Sequence, residues 1–89
     1  MKVLYFAWLK TRTGCAEEDL TPPAEVTTVG AFLTWLATQS PGHAEALKNP
    51  RLVRVAVNQA FAQADTPITS GDEIALFPPV TGGTIGTQP

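Results

Sequence analysis

At 89 residues the chain has room for one hydrophobic core, and a composition of 44 % hydrophobic and 16 % charged residues excludes an intrinsically disordered chain. The formal net charge of -2, with no run of Lys or Arg, excludes the basic footprint that nucleic-acid binding needs, and no stretch approaches the roughly 18 apolar residues of a membrane span. The expectation is a single cytoplasmic domain that uses neither nucleic acid nor membrane.

The first segment, KVLYFAWL at residues 2–9, is rich in aromatic and branched side chains and predicts a strand running into a turn at Gly14. Alternation puts Val3, Tyr5, Ala7 and Leu9 on one side and Leu4, Phe6 and Trp8 on the other, so both sides are apolar. Such a strand is either covered twice or has an outer face that docks something, and the chain is too short for two covering layers. A second short strand is expected around residues 19–21, ended by Pro22 and Pro23. Val29, Phe32, Leu33 and Leu36 then fall at i, i+3, i+4 and i+7 and predict a helix over 27–40, with Thr27 or Thr28 as N-cap, SPG at 40–42 as its stop and Trp35 on its flank.

Residues 43–50 predict a short helix that ends at Pro50, with His43 at the surface. LVRVAVN at 52–58 sets Val53, Val55 and Val57 against Leu52, Arg54 and Ala56, the pattern of a strand with one core face. A turn at Asn58, a short strand within 59–63 and turns at DTP and SGDE come next. The last strand is EIALF at 73–77, with Ile74 and Leu76 on one side and Ala75 and Phe77 on the other, and Pro78 and Pro79 stop it because neither can donate a ladder hydrogen bond. The order predicts an α+β domain over residues 1–79 with its helices on one sheet face, and a Thr- and Gly-rich free tail over 80–89.

Cys15 is the only cysteine, so no intrachain disulfide forms; as a nucleophile it would need a basic partner, and His43 is the one histidine. Cys15 therefore reads as a loop thiol. No paired carboxylates at a convincing spacing, no phosphate-cradling loop and no metal-ligand cluster emerge, so no set of catalytic side chains is expected.

The tail carries the chemistry. Pro78 and Pro79 hold the chain near an extended polyproline conformation, a stiff stalk that projects the residues after it away from the domain. Gly82 and Gly83 have no Cβ and fit a narrow channel. KVLYFA at the start, the Gly14 loop with Glu17 and Glu18, the VGAFLTWL helix, VAVNQ at 55–59 and SGDEIALFPPVTGG at 70–83 together resemble the small subunit of molybdopterin synthase (MoaD type), a sulfur carrier of the ubiquitin-like β-grasp class. The resemblance covers nearly the whole chain up to Gly83, and GDEIALFPPVTGG is its most specific part.

The resemblance implies a mixed sheet of about five strands with one main helix and a short second helix on one face. It implies that the carboxylate of Gly83 is adenylated with ATP by an E1-like activating enzyme and converted to a thiocarboxylate. That group then donates sulfur to a cyclic pyranopterin precursor inside the large synthase subunit, in a heterotetramer. The carrier itself is non-catalytic and binds no permanent cofactor. The matching docking positions are Phe6, Phe61 and Phe77, with Pro78, Pro79, Val80 and Thr81 in the stalk; strand alternation independently puts Phe6 and Phe77 opposite the core.

Residues 84–89, TIGTQP, depart from that pattern, because they leave the Gly83 carbonyl in a peptide amide with no carboxylate oxygen to attack ATP. The expectation is that a protease cuts after Gly83; the competing explanation is a gene-end extension without a role. Two further readings stay open: a sulfur carrier for cysteine, thiamine or another thio-metabolite, and a β-grasp binding module whose tail does nothing.

Overall fold

Residues 1–79 are described by a computed structural model. The elements are β1 (Lys2–Tyr5), α1 (Trp8–Thr13), β2 (Glu17–Asp19), α2 (Val29–Leu36), α3 (Pro41–Leu47), a 3-10 turn (Pro50–Leu52), β3 (Arg54–Val57), β4 (Ala60–Ala62) and β5 (Glu73–Phe77). The sheet runs β2-β1-β5-β3-β4, with β1 and β5 parallel and every other neighbouring pair antiparallel. Val3 and Tyr5 of β1, Val55 of β3 and Ile74 and Leu76 of β5 meet Leu9, Val29, Phe32 and Leu36 of the helices in one core. The architecture is the mixed β-grasp arrangement that the resemblance implies.

The first strand is shorter than its apolar run. It stops at Tyr5; Ala7 takes φ 57° and ψ −134°, and Trp8 opens a helix that ends at the left-handed Gly14, whose N–H bonds to the Lys10 carbonyl. A short apolar run cannot separate strand from helix by its period, and nothing in the sequence marks a non-glycine residue that turns with positive φ. Leu9 reaches the core through this helix and is fully buried, while Trp8 leaves the sheet face and lies under the Arg12 guanidinium at 5.3 Å. The domain thus has a helix between β1 and β2 beyond the two expected.

β2 lies two residues before its expected place, because pairing with β1 sets Glu17 against Leu4, Glu18 against Val3 and Asp19 against Lys2. In α2, Thr28 is the N-cap, its Oγ1 accepting from the Ala31 N–H at 3.2 Å. The expected stripe is buried at Val29, Phe32 and Leu36, and Trp35 sits half-buried on the flank with its ring 5.9 Å from that of Phe32. α2 ends at Leu36, short of the expected stop at residues 40–42, and the SPG segment opens the next helix instead. Ser40 is the N-cap of α3 and Pro41 its first residue, a position where proline's missing N–H would be unpaired in any case. Gly42 lets α3 approach α1 closely: a Cβ built there would collide with the Arg12 carbonyl oxygen.

His43 is buried, contrary to the surface position expected of it. Its Nδ1 lies 2.7 Å from Ser40 Oγ and its Nε2 2.6 Å from Glu18 Oε2, and the same carboxylate oxygen accepts from the Tyr5 hydroxyl at 2.6 Å. A proton on Nε2 completes a chain in which Ser40 donates to the imidazole and both imidazole and phenol donate to Glu18. The chain ties α3 to β1 and β2, and the Tyr5 and His43 rings pack edge to face at 5.8 Å. These partners come from three separate elements, so no local pattern announces them.

At the other end of the sheet, Asn58 and Gln59 have φ of 50° and 71° and close a two-residue hairpin between β3 and β4. The Asn58 amide accepts from the Glu73 N–H and donates to Asp72, each at 3.0 Å, joining this hairpin to the start of β5. β5 spans the residues expected of it, with Ile74 and Leu76 fully buried.

Candidate functional site

With the helices gathered on one side, the alternate residues of the strands form an open sheet face. One row across it is Leu4, Ala75, Ala56 and Phe61, set by the pairs Leu4↔Ala75, Ala75↔Ala56 and Ala56↔Phe61. The next row toward the end of β5 holds Phe77 beside Arg54, with Phe6 following Tyr5 on the neighbouring strand and donating its N–H to the Leu76 carbonyl at 3.1 Å. Phe6 is 49 % exposed and Phe61 84 % exposed, and the Phe61 and Phe77 rings lie 6.0 Å apart. Large aromatic side chains are normally buried in a domain's own core, so their exposure over two adjacent rows sets this open face apart.

The direction of β5 decides where the stalk leaves. Because β5 is central and parallel to β1, the chain exits beside Phe6 and Phe77, and the half-buried Pro78 and Pro79 continue directly from the strand. The three expected aromatic positions and both prolines are therefore brought together at one end of the sheet. Val80, Thr81, Gly82 and Gly83, and residues 84–89 after them, lie outside the described residues.

A shallow groove of about 250 Å³ opens on the same face, lined by Arg54, Val55, Phe61, Ala62 and Phe77. Arg54 was legible only as an outward-facing strand residue; its place in the groove depends on the register of β3 with both neighbours, which no local pattern reveals.

Among the described residues no catalytic constellation accompanies this surface, and no group of three His, Cys, Asp or Glu side chains is placed to hold a metal ion. Both nitrogens of His43 are engaged by Ser40 and Glu18, which leaves none to activate the half-buried Cys15. Burial raises the Tyr5 phenol well above its ordinary value, and the bond to the Glu18 carboxylate adds to it, so Tyr5 stays a donor. For Glu18 burial works against ionisation, but the hydrogen bonds from Tyr5 and His43 outweigh it and hold the carboxyl below the usual range. The Ser40–His43–Glu18–Tyr5 chain is a part-buried brace beneath the sheet, with Tyr5 and His43 buried and Ser40 and Glu18 half-buried.

A β-grasp core, an apolar open face and a proline stalk leaving the end of its central strand define a ubiquitin-like carrier domain. No helix among the described residues is long and apolar enough to cross a membrane. The sequence profile of the ThiS family matches residues 3–83, and the chain belongs to that family, as a member of the MoaD type. It is 42 % identical over 83 residues to the molybdopterin synthase sulfur carrier subunit of Escherichia coli (strain K12), covering 93 % of this chain and 99 % of that protein. The human molybdopterin synthase sulfur carrier subunit is 33 % identical over 88 residues, with 93 % of each chain covered. Among solved structures, SAMP1 from Haloferax volcanii superposes with a TM-score of 0.70 at 29 % identity, covering 93 % of this chain and 98 % of that one.

Proposed function

We propose that this chain is the sulfur-carrier subunit of a molybdopterin synthase, acting through the carboxyl group of Gly83. The observation that carries the reading is that family similarity runs through the sheet, the stalk and the glycine pair and stops at Gly83, with the relative from Escherichia coli matched over 99 % of its length. What this chain delivers is sulfur, carried on the acyl carbon of Gly83 behind a stalk whose last two residues have no side chains, and the chemistry is done by its partners.

The steps derive from that group. A protease hydrolyses the bond between Gly83 and Thr84 and frees the carboxylate. One carboxylate oxygen attacks the α-phosphorus of ATP in an E1-like enzyme, pyrophosphate leaves, and the acyl-adenylate forms. A hydrosulfide equivalent then attacks the acyl carbon and AMP leaves, and the resulting thiocarboxylate enters the large synthase subunit, where its sulfur attacks a cyclic pyranopterin precursor and water cleaves the acyl–sulfur bond to return the Gly83 carboxylate. ATP and a reduced Cys15 suit the cytoplasm.

Docking on the large subunit uses Phe6, Phe61 and Phe77. Each is worth roughly 1.5 to 3 kcal/mol when covered, enough together to anchor a partner after the costs of association. Pro78 and Pro79 reduce the freedom that Val80, Thr81, Gly82 and Gly83 lose on entering the partner's channel. The heterotetramer implied by the resemblance carries two such tails. The test is to measure binding of Phe6→Arg and Phe77→Arg to the large subunit of the same organism, with circular dichroism showing the domain folded. Loss of binding supports the reading, and unchanged affinity refutes the docking face.

A further inference from the structure

The groove between Phe61 and Phe77 has one charged wall, and that charge bears on which partner fits. Arg54 is exposed, faces Phe77 in the β3–β5 register and lines the groove with both aromatic rings. It makes no ion pair with any carboxylate among the described residues, whereas Lys2 on the same face lies 3.8 Å from Glu17. The acidic side chain on β5, Glu73, stands beside Lys2 at the opposite end of the strand from Phe77. Four residue steps along the strand separate Glu73 from Phe77, roughly 13 Å at about 3.3 Å per step, which exceeds the screening length of about 10 Å at ordinary ionic strength. Among the described residues, the positive charge at the aromatic end of the face therefore has no carboxylate paired with it.

A partner that covers Phe61 and Phe77 also covers Arg54, because the three share one groove. An apolar partner surface would strip water from the guanidinium and return nothing, a cost that falls on the complex. A carboxylate returns the lost hydrogen bonds, and the planar guanidinium donates to both of its oxygens in paired geometry.

We propose that Arg54 selects the partner: it receives the carboxylate of an Asp or Glu side chain of the large subunit, whose methylene groups lie in the groove between Phe61 and Phe77. The proposal rests on the docking reading above and names the chemistry that the partner presents there. Arg54 sits in the surface layer of β3 and its replacement leaves the buried side of the strand intact.

The test measures affinity of the large subunit of the same organism for wild type, Arg54→Glu and Phe77→Arg, at low salt and at roughly 0.5 M salt, with thermal melts confirming the fold. Arg54→Glu is expected to weaken binding at least about tenfold at low salt, with the difference narrowing at high salt, and an Asp or Glu to Lys substitution on the large subunit is expected to restore it. If Arg54→Glu binds within about twofold of wild type while Phe77→Arg fails, the assignment of Arg54 is wrong and the docking face stands. If Phe77→Arg binds normally, the docking reading itself has failed. A loss in Arg54→Glu that is independent of salt and rescued by no charge reversal on the partner also overturns the proposal.

Discussion

Glu18→Ala removes the hub of the part-buried brace, and its cost can be worked from the geometry. One carboxylate oxygen accepts from the Tyr5 hydroxyl and from His43 Nε2, each at 2.6 Å, and those residues are 2 % and 6 % exposed. Alanine leaves both groups buried without an acceptor. Each such group costs about 1–3 kcal/mol, so the variant should lose about 2–6 kcal/mol, a large share of the roughly 5–15 kcal/mol that holds a small domain together. At about 4–8 °C per kcal/mol for a domain of this size, the melting temperature should fall by at least about 8 °C at neutral pH. The pH dependence has a definite sign. The Glu18 carboxyl is held below its unfolded value, so its stabilisation is fully present above the ordinary carboxylate range and is lost as acid takes the pH down through the folded value. Thermal melts of both proteins from neutral pH into acid should therefore converge. A drop of less than about 3 °C at neutral pH, or a gap that widens on acidification, would refute the brace.

Other substitutions test separate parts of the structure. Gly42→Ala drives a methyl group into the Arg12 carbonyl and should destabilise the domain by about 1–3 kcal/mol in urea unfolding, whereas the same change at an uncrowded helix position would be neutral or favourable. Gln59→Gly relieves a positive φ of 71° in the hairpin and should raise stability by about 0.5–1 kcal/mol, read as a higher urea midpoint. Phe61→Ser alters a side chain that is 84 % exposed, so stability should stay within about 0.5 kcal/mol while affinity for the large subunit, measured by calorimetry, falls about tenfold.

How much of the fold was legible in the sequence depends on which interactions are local. β5 was readable to the residue because strict alternation at Ile74 and Leu76 ends at two prolines; the stripe and Thr28 cap of α2 were readable because both lie within a few residues, while its end at Leu36 rather than 40 was not. The same alternation put Phe6 and Phe77 on the outer face, where the structure holds them. α1 was hidden because Trp8 and Leu9 continue an apolar run and the break depends on Ala7 adopting a positive φ that its side chain does not favour. His43 was misjudged for a different reason: its acceptor, Glu18, stands 25 residues away in the chain. Ser40 read as a helix stop because capping the next helix and bonding the imidazole are roles that only the folded α3 reveals. Arg54 was legible only as an outward-facing strand residue, since its place in the groove comes from two strand registers meeting there.

The most direct test of the carrier function is to incubate two forms of the protein, one ending at Gly83 and one retaining residues 84–89, with the E1-like enzyme, ATP and a sulfur source, and to weigh the products. The shortened form should release pyrophosphate and gain the mass difference of one oxygen exchanged for sulfur, while the longer form stays unchanged. A shortened protein that keeps its melting transition but is neither adenylated nor thiolated would contradict the account.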